Sequence, residues 1–159
     1  MSKPINKTEF WKERIETAQK EHYSVYVCGE DMWKNINKVH ETIIEREIKP
    51  SETVLDAGCG YGRWCEIFDN NKYFGVDFSP DFIKKAQEKY PEYLFAVKNL
   101  KDLQIKDKSF DWAICVSIKK MVVDNLGEEE WNLMLKELKR VARKVLVLEY
   151  EDPEPFEII

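Results

Sequence analysis

Two carboxylates and a run of alternating glycines concentrate the chemistry of this sequence. In Val54-Leu55-Asp56-Ala57-Gly58-Cys59-Gly60-Tyr61-Gly62 an acidic residue closes an apolar run and glycines follow at every second position. Glycine takes positive φ at little cost and lets backbone come close to a ligand, so this spacing describes a tight strand-to-helix turn that cradles a bound group. A helix expected over 63–69 would add free N–H groups that favour an anionic moiety. Asp77 lies about twenty residues beyond Asp56, at the end of a second apolar run. A carboxylate there accepts two hydrogen bonds from a ribose 2′,3′-diol and selects an unphosphorylated ribose. The competing reading of Asp77 is a loop carboxylate beside Ser79 and Pro80.

A dinucleotide fingerprint reads GxGxxG, whereas this turn reads Gly58-x-Gly60-x-Gly62 with Arg63 next. Cys28, Cys59, Cys65 and Cys115 form no CxxC pair, and His22 and His40 are the chain's histidines. No metal site is expected, and the cysteines read as reduced core or turn residues.

These residues need a scaffold that brings two strand ends together. From residue 51 onward short aliphatic runs alternate with helical segments, the rhythm of a parallel sheet with crossover helices. Strands are expected at 53–55, 73–76, 93–97, 112–117 and 145–149, with apolar content suited to burial on both faces. Ser79 as N-cap, Pro80 at the first helical position and Pro91 beyond the last turn mark a helix between the second and third strands. Trp131, Met134, Leu135, Leu138, Val141 and Ala142 recur at helical spacing and form a stripe that packs on the sheet. Ahead of the sheet, helices are expected over 8–22 and 31–48. The second should lie on the sheet through Trp33, Ile36, Val39, His40, Ile43 and Ile44, while the first is a candidate lid. The expected division is 1–50 as lid and substrate-shaping segment and 51–159 as core, within one compact domain.

The strings VLDAGCGYG, YFGVDFSP and LKDLQIKDKSFDWAICVSI resemble the successive motifs of class I S-adenosylmethionine-dependent methyltransferases, over residues 51–150. The resemblance implies an α/β, doubly wound Rossmann-like sheet, S-adenosyl-L-methionine as cofactor and S-adenosyl-L-homocysteine as product. It implies that Asp56 and the turn of Gly58, Cys59, Gly60, Tyr61 and Gly62 meet the methionine amine and carboxylate. Asp77 would then hold the ribose hydroxyls and Phe78 would lie along the adenine. Asn99 and Leu100 would border the adenine edge, and Ser117 completes the cofactor set. Asn99 departs from the family's frequent Asp, since an amide offers both donors and an acceptor. Ser109-Phe110-Asp111 also matches, with a structural role: Phe110 enters the core and Asp111 opens the fourth strand.

Methyl transfer from a sulfonium is an in-line displacement that needs alignment more than a dedicated base. Candidates near the methyl are His22, Tyr23 and Tyr26, and Lys119 after the fourth strand. Their alternative readings are packing tyrosines and a solvated lysine. A small-molecule acceptor is the first expectation and a protein side chain the other. Two further readings are a non-catalytic cofactor-binding module that works with a partner, and an enzyme that cleaves the cofactor.

The family usually continues past the fifth strand with a helix and a two-stranded hairpin. After 145–149 this sequence has only a proline-broken stretch, so about five main strands in the order 3-2-1-4-5 are expected. The fifth strand would be an edge, covered by the tail through Phe156, Ile158 and Ile159 or by a symmetric partner. The monomer is favoured.

The 159 residues suffice for one core, and a chain of that size buries roughly two thirds of its unfolded surface. A net charge of −5 disfavours nucleic acid as substrate. No long apolar run or signal-like N-terminus is evident, so no membrane partner and a cytoplasmic location are expected.

Overall fold

The computed structural model describes residues 30–149 and 157–159. The chain enters through α1 (Glu30–Glu47), then alternates β1 (Val54–Ala57), β2 (Tyr73–Asp77), α2 (Pro80–Lys89), β3 (Leu94–Val97) and β4 (Phe110–Val116). It continues with α3 (Lys119–Leu126), α4 (Glu128–Val141), β5 (Ala142–Leu148) and β6 (Glu157–Ile158). The strands form one sheet in the order β3-β2-β1-β4-β5-β6. The first five are parallel, as the alternation of strands and helices requires, and β6 is antiparallel to β5.

Strand periodicity divides the core into two layers. Val54, Trp112, Ile114, Leu146 and Leu148 face one side, where they pack with Ile43, Ile44 and Ile48 of α1 and Ile83 and Ala86 of α2. Leu55, Ala57, Ala113, Cys115, Val145 and Val147 face the other, against Val122 of α3 and Trp131, Leu138 and Val141 of α4. Cys59, Cys65 and Cys115 are buried free thiols in these layers, as read from their scatter. Of the residues expected to press α1 on the sheet, His40, Ile43 and Ile44 are buried while Val39 is exposed.

Local boundaries follow local chemistry. Ser79 caps α2, its Oγ accepting from the Phe82 amide, and Pro80 opens the helix. At the foot of the sheet Asp111 Oδ2 accepts from the Thr53 amide (2.9 Å) and from Thr53 Oγ1 (3.0 Å), while the Asp111 amide donates back to Thr53 Oγ1 (3.0 Å). These bonds hold the Asp111 carboxyl below its ordinary range. They pin β4 to the entry of β1, and Phe110 stacks on Phe74 beside them.

Four boundaries differ from the sequence reading. The segment expected as a helix over 63–69 is a single 3-10 turn, Cys65–Ile67, because Phe68 turns extended and its amide bonds back to Cys65. Lys119, read as a residue of the loop after the fourth strand, opens α3, which Gly127 ends with a φ of 93°. Ala142 belongs to β5 rather than to the preceding helix: its backbone is extended while its N–H still bonds to Leu138. Helix α4 thus passes into β5 without a loop residue. Finally, the tail adds a short sixth strand. The expected helix over 8–22 lies outside the described residues, and among those residues no helix is long and apolar enough to cross a membrane.

Candidate functional site

The strand order reverses between β1 and β4, and doubly wound sheets bind ligands outside the strand C-termini at such a point. The glycine turn and Asp77 meet there. Asp77 is 6% exposed; its Oδ2 accepts from the Gly60 amide at 3.0 Å and its Oδ1 from the Ser79 amide at 2.9 Å. Burial pushes this carboxyl above its ordinary range, and the Ser79, Gly60 and Phe78 amides oppose the shift. Asp77 therefore organises its own loop, as the competing reading held. A carboxylate has lone pairs for about four hydrogen bonds, so Asp77 keeps room for a further donor.

The amides of the turn are taken up by the protein itself. Gly58 and Cys59 both donate to the Val76 carbonyl (2.8 and 3.0 Å), and Gly62 donates to the Cys59 carbonyl (3.0 Å). With Gly60 committed to Asp77, these four amides already have protein partners. A helix dipole is also lacking, since the following segment makes only the 3-10 turn. What the turn offers is shape. Gly60 has a φ of 55°, and a Cβ built on it meets none of the described residues within 4 Å, so among them its backbone lies open to close approach. A nucleoside laid against that open backbone, with Asp77 beside it, fits this arrangement.

Asp56 sits below the turn. It is fully buried, and Tyr73 Oη donates to its Oδ2 at 2.6 Å. Burial pushes its carboxyl up to about 7, against the opposing effects of the Tyr73 hydrogen bond and the Arg63 charge. Cys59 is buried as well, its Sγ near the Gly60 carbonyl, so only its backbone reaches the turn. Tyr61 meets Phe82 edge-on, with centroids 6.0 Å apart.

The adenine-side candidates gather at the ends of β2 and β3. Phe78 is 38% exposed directly beyond buried Asp77. The Lys98 amide donates to the Asp77 carbonyl at 2.8 Å, which brings the Asn99 loop alongside. Asn99 Oδ1 accepts from the Lys101 amide at 3.0 Å in a local turn, and Leu100 is buried. Ser117 lies apart from this group, at the end of β4, with a φ of 60°. Lys119 is the first residue of α3 and half-buried, so the solvated-loop reading does not describe it. His22, Tyr23 and Tyr26 fall outside the described residues.

The sequence reading passed over His40 and Glu149. His40 is completely buried on α1, its Nε2 lies 3.0 Å from the Glu149 carbonyl, and burial lowers its pKa to about 4. It is therefore a neutral imidazole whose Nε2–H donates. Its ring meets Trp64 edge-on, and Arg63 bonds Asn37 at 2.8 Å, so α1 is tied to the glycine turn. A signal for Glu149 was present: like Asp56 and Asp77, it follows an apolar strand run at the sheet's C-terminal edge.

The model of a family described as "Methyltransferase domain" matches residues 54–144, more than half of the chain. The chain belongs to that family, and its fold is that of a class I, Rossmann-like methyltransferase. The cofactor of this class is S-adenosylmethionine. Among similar proteins, the uncharacterized protein MJ1252 of Methanocaldococcus jannaschii is 38% identical over 98 residues, which cover 60% of this chain and 38% of that one. A crystal structure of the PH0226 protein of Pyrococcus horikoshii is similar with a TM-score of 0.64 and 26% identity, covering 80% of this chain and 65% of that one. Phosphoethanolamine N-methyltransferase 1 of Haemonchus contortus, solved with phosphoethanolamine and S-adenosylhomocysteine, shares the fold at a TM-score of 0.70 and 19% identity, over 91% of this chain and 32% of its own. The chain thus spans only part of each relative.

Proposed function

We propose that this chain transfers the methyl group of S-adenosylmethionine to a small-molecule acceptor. The observation that carries the reading is the junction of Gly60 and Asp77, which unites an open glycine backbone with a buried carboxylate at the sheet's switch point. When bound, the cofactor supplies an electrophilic methyl on a sulfonium. Asp77 holds the ribose diol with its remaining lone pairs, and Gly58, Gly60, Tyr61 and Gly62 bring backbone against the methionine end. Asp56 meets the methionine amine from below. Phe78 covers one adenine face, while Asn99 and Leu100 border its edge.

Since in-line displacement asks chiefly for alignment, the protein's part is to orient donor and acceptor and keep water out. Residues 1–50 supply the cover, with His22, Tyr23 and Tyr26 as its candidates nearest the acceptor. The chain acts as a cytoplasmic monomer, its fifth strand covered by its own tail. The test is incubation of the full chain with isotopically methyl-labelled cofactor and an acceptor library, read by mass spectrometry. Labelled methyl on an acceptor, with the cofactor intact when no acceptor is present, is the expected result. Cofactor cleavage without acceptor, or binding with no transfer to any compound or protein extract, would contradict it.

A further inference from the structure

The C-terminal edge of β4 and β5 carries polar atoms of Ser117, which the sequence reading placed in the cofactor set, and of Glu149, which it gave no role. β4 and β5 run in register through Val116 and Leu148, and the Ser117 amide donates to the Leu148 carbonyl at 2.7 Å, which sets Ser117 beside Glu149. Ser117 Oγ and Glu149 Oε1 are both buried and have no hydrogen-bond partner among the described residues, and the same holds for Nδ1 of His40. A buried polar atom without a partner is costly, so Ser117 Oγ and Glu149 Oε1, on neighbouring strand ends, call for a ligand. Ser117 also holds a φ of 60°, a conformation that non-glycine residues rarely take and that recurs at functional sites.

Glu149 is held in place. The Lys119 and Lys120 amides at the start of α3 donate to its carboxylate, and the His40 ring lies against its own carbonyl at 3.0 Å. This edge borders the glycine turn directly: a Cβ on Gly58 would sit 2.7 Å from Ile118 Cδ1. Residues 117–118 are thus the seam between the turn and Glu149.

We infer that Ser117 and Glu149 form the acceptor subsite and that it takes an amine. The inference rests on the methyltransferase reading above and names the acceptor class for that site. An anchored carboxylate oxygen with no donor of its own attracts an ammonium or amine N–H. It repels a carboxylate or thiolate. For an amine the proton balance closes. The nitrogen lone pair forms the N–C bond as the C–S bond breaks and its electron pair stays on sulfur. The new methylammonium then passes one proton to Glu149, while Ser117 Oγ accepts from the nitrogen's other N–H. Glu149 suits this receipt, because burial raises its proton affinity above that of an ordinary glutamate.

Calorimetry of the full chain with two probes tests this. One is S-adenosylhomocysteine; the other is sinefungin, in which a carbon bearing a protonated amine replaces the methyl-bearing sulfur. Sinefungin is expected to bind about tenfold or more tighter, the effect of one charge-assisted hydrogen bond. Glu149→Gln should remove that preference while keeping S-adenosylhomocysteine affinity, since Gln retains an oxygen for the two amides; a merely structural role would weaken both probes alike. Ser117→Ala should reduce the same ratio, and it serves if Glu149→Gln folds poorly. Equal affinities in the natural chain, or a preference that survives these substitutions, overturn the acceptor subsite and leave the cofactor site standing. Failure of both probes to bind the folded chain would overturn the methyltransferase reading together with it.

Discussion

The amide of Gly60 donates a 3.0 Å hydrogen bond to Oδ2 of Asp77, so two features separated in sequence are one structure at the end of the sheet. Asp77 fixes the turn whose open backbone it borders. Loss of this carboxylate should therefore act twice.

Asp77→Ala is expected to weaken S-adenosylhomocysteine binding by about 1.5–3 kcal/mol, the range for hydrogen bonds to a charged group. It should also lower thermal stability, because the Gly60 and Ser79 amides lose their acceptor. Calorimetry and thermal denaturation measure the two effects separately. Unchanged affinity in a folded variant would remove Asp77 from the ligand site and leave it a loop carboxylate.

Gly60→Val should abolish binding. A β-branched residue resists a φ of 55°, and its side chain would project into the open space over the turn, where none of the described residues lies within 4 Å. Because none of them is displaced, the fold should survive by circular dichroism. Normal binding in a natively folded variant would show that ligand does not approach this backbone.

Cofactor affinity should rise with pH between about 6 and 8. Burial pushes Asp56 up to about 7, yet pairing with the methionine ammonium needs its ionised form. Binding therefore lowers the pKa and releases a proton, and affinity is lost as pH falls below the free-state value, by up to about tenfold per unit. Tyr73→Phe removes a hydrogen bond that favours ionised Asp56, so the dependence should move to higher pH. Titrations in buffers of different ionisation enthalpy would reveal the proton. A flat profile would mean that Asp56 stays a buried partner of Tyr73 and never meets the ligand.

Strand β6 covers one edge of the sheet: Leu146 pairs with Ile158, and Val145 and Ile159 exchange hydrogen bonds of 2.9 Å in both directions. Truncation before Glu157 leaves those β5 groups unpaired, and an exposed edge templates pairing between chains. Light scattering should show greater association than in the intact chain. No change would mean that these residues protect nothing.

The legible parts of this fold were those written in short-range chemistry. Ser79 and Pro80 marked the start of α2, apolar runs marked the five parallel strands, and the Gly58–Gly62 spacing with Asp77 picked out residues that meet at the end of the sheet. The misread parts depended on neighbours absent from any local window. Residues 63–69 carry enough apolar side chains for a helix, but Trp64, Cys65 and Phe68 bury against the core within a single 3-10 turn. Ala142 completes a helical stripe in sequence, yet pairing with Phe110 draws it into β5. The amides of Gly58 and Cys59 bond to the Val76 carbonyl of β2, a partner about eighteen residues away in sequence. His40 read as one more stripe position, and only the end of β5 shows what its ring touches.

Titration of S-adenosylhomocysteine into the full chain tests the central claim most directly. Saturable one-to-one binding that is weakened in Asp77→Ala and absent in Gly60→Val is the predicted result. A folded chain that gives no heat and no thermal stabilisation at high ligand concentration would contradict the claim that the Gly60 and Asp77 junction is a cofactor site.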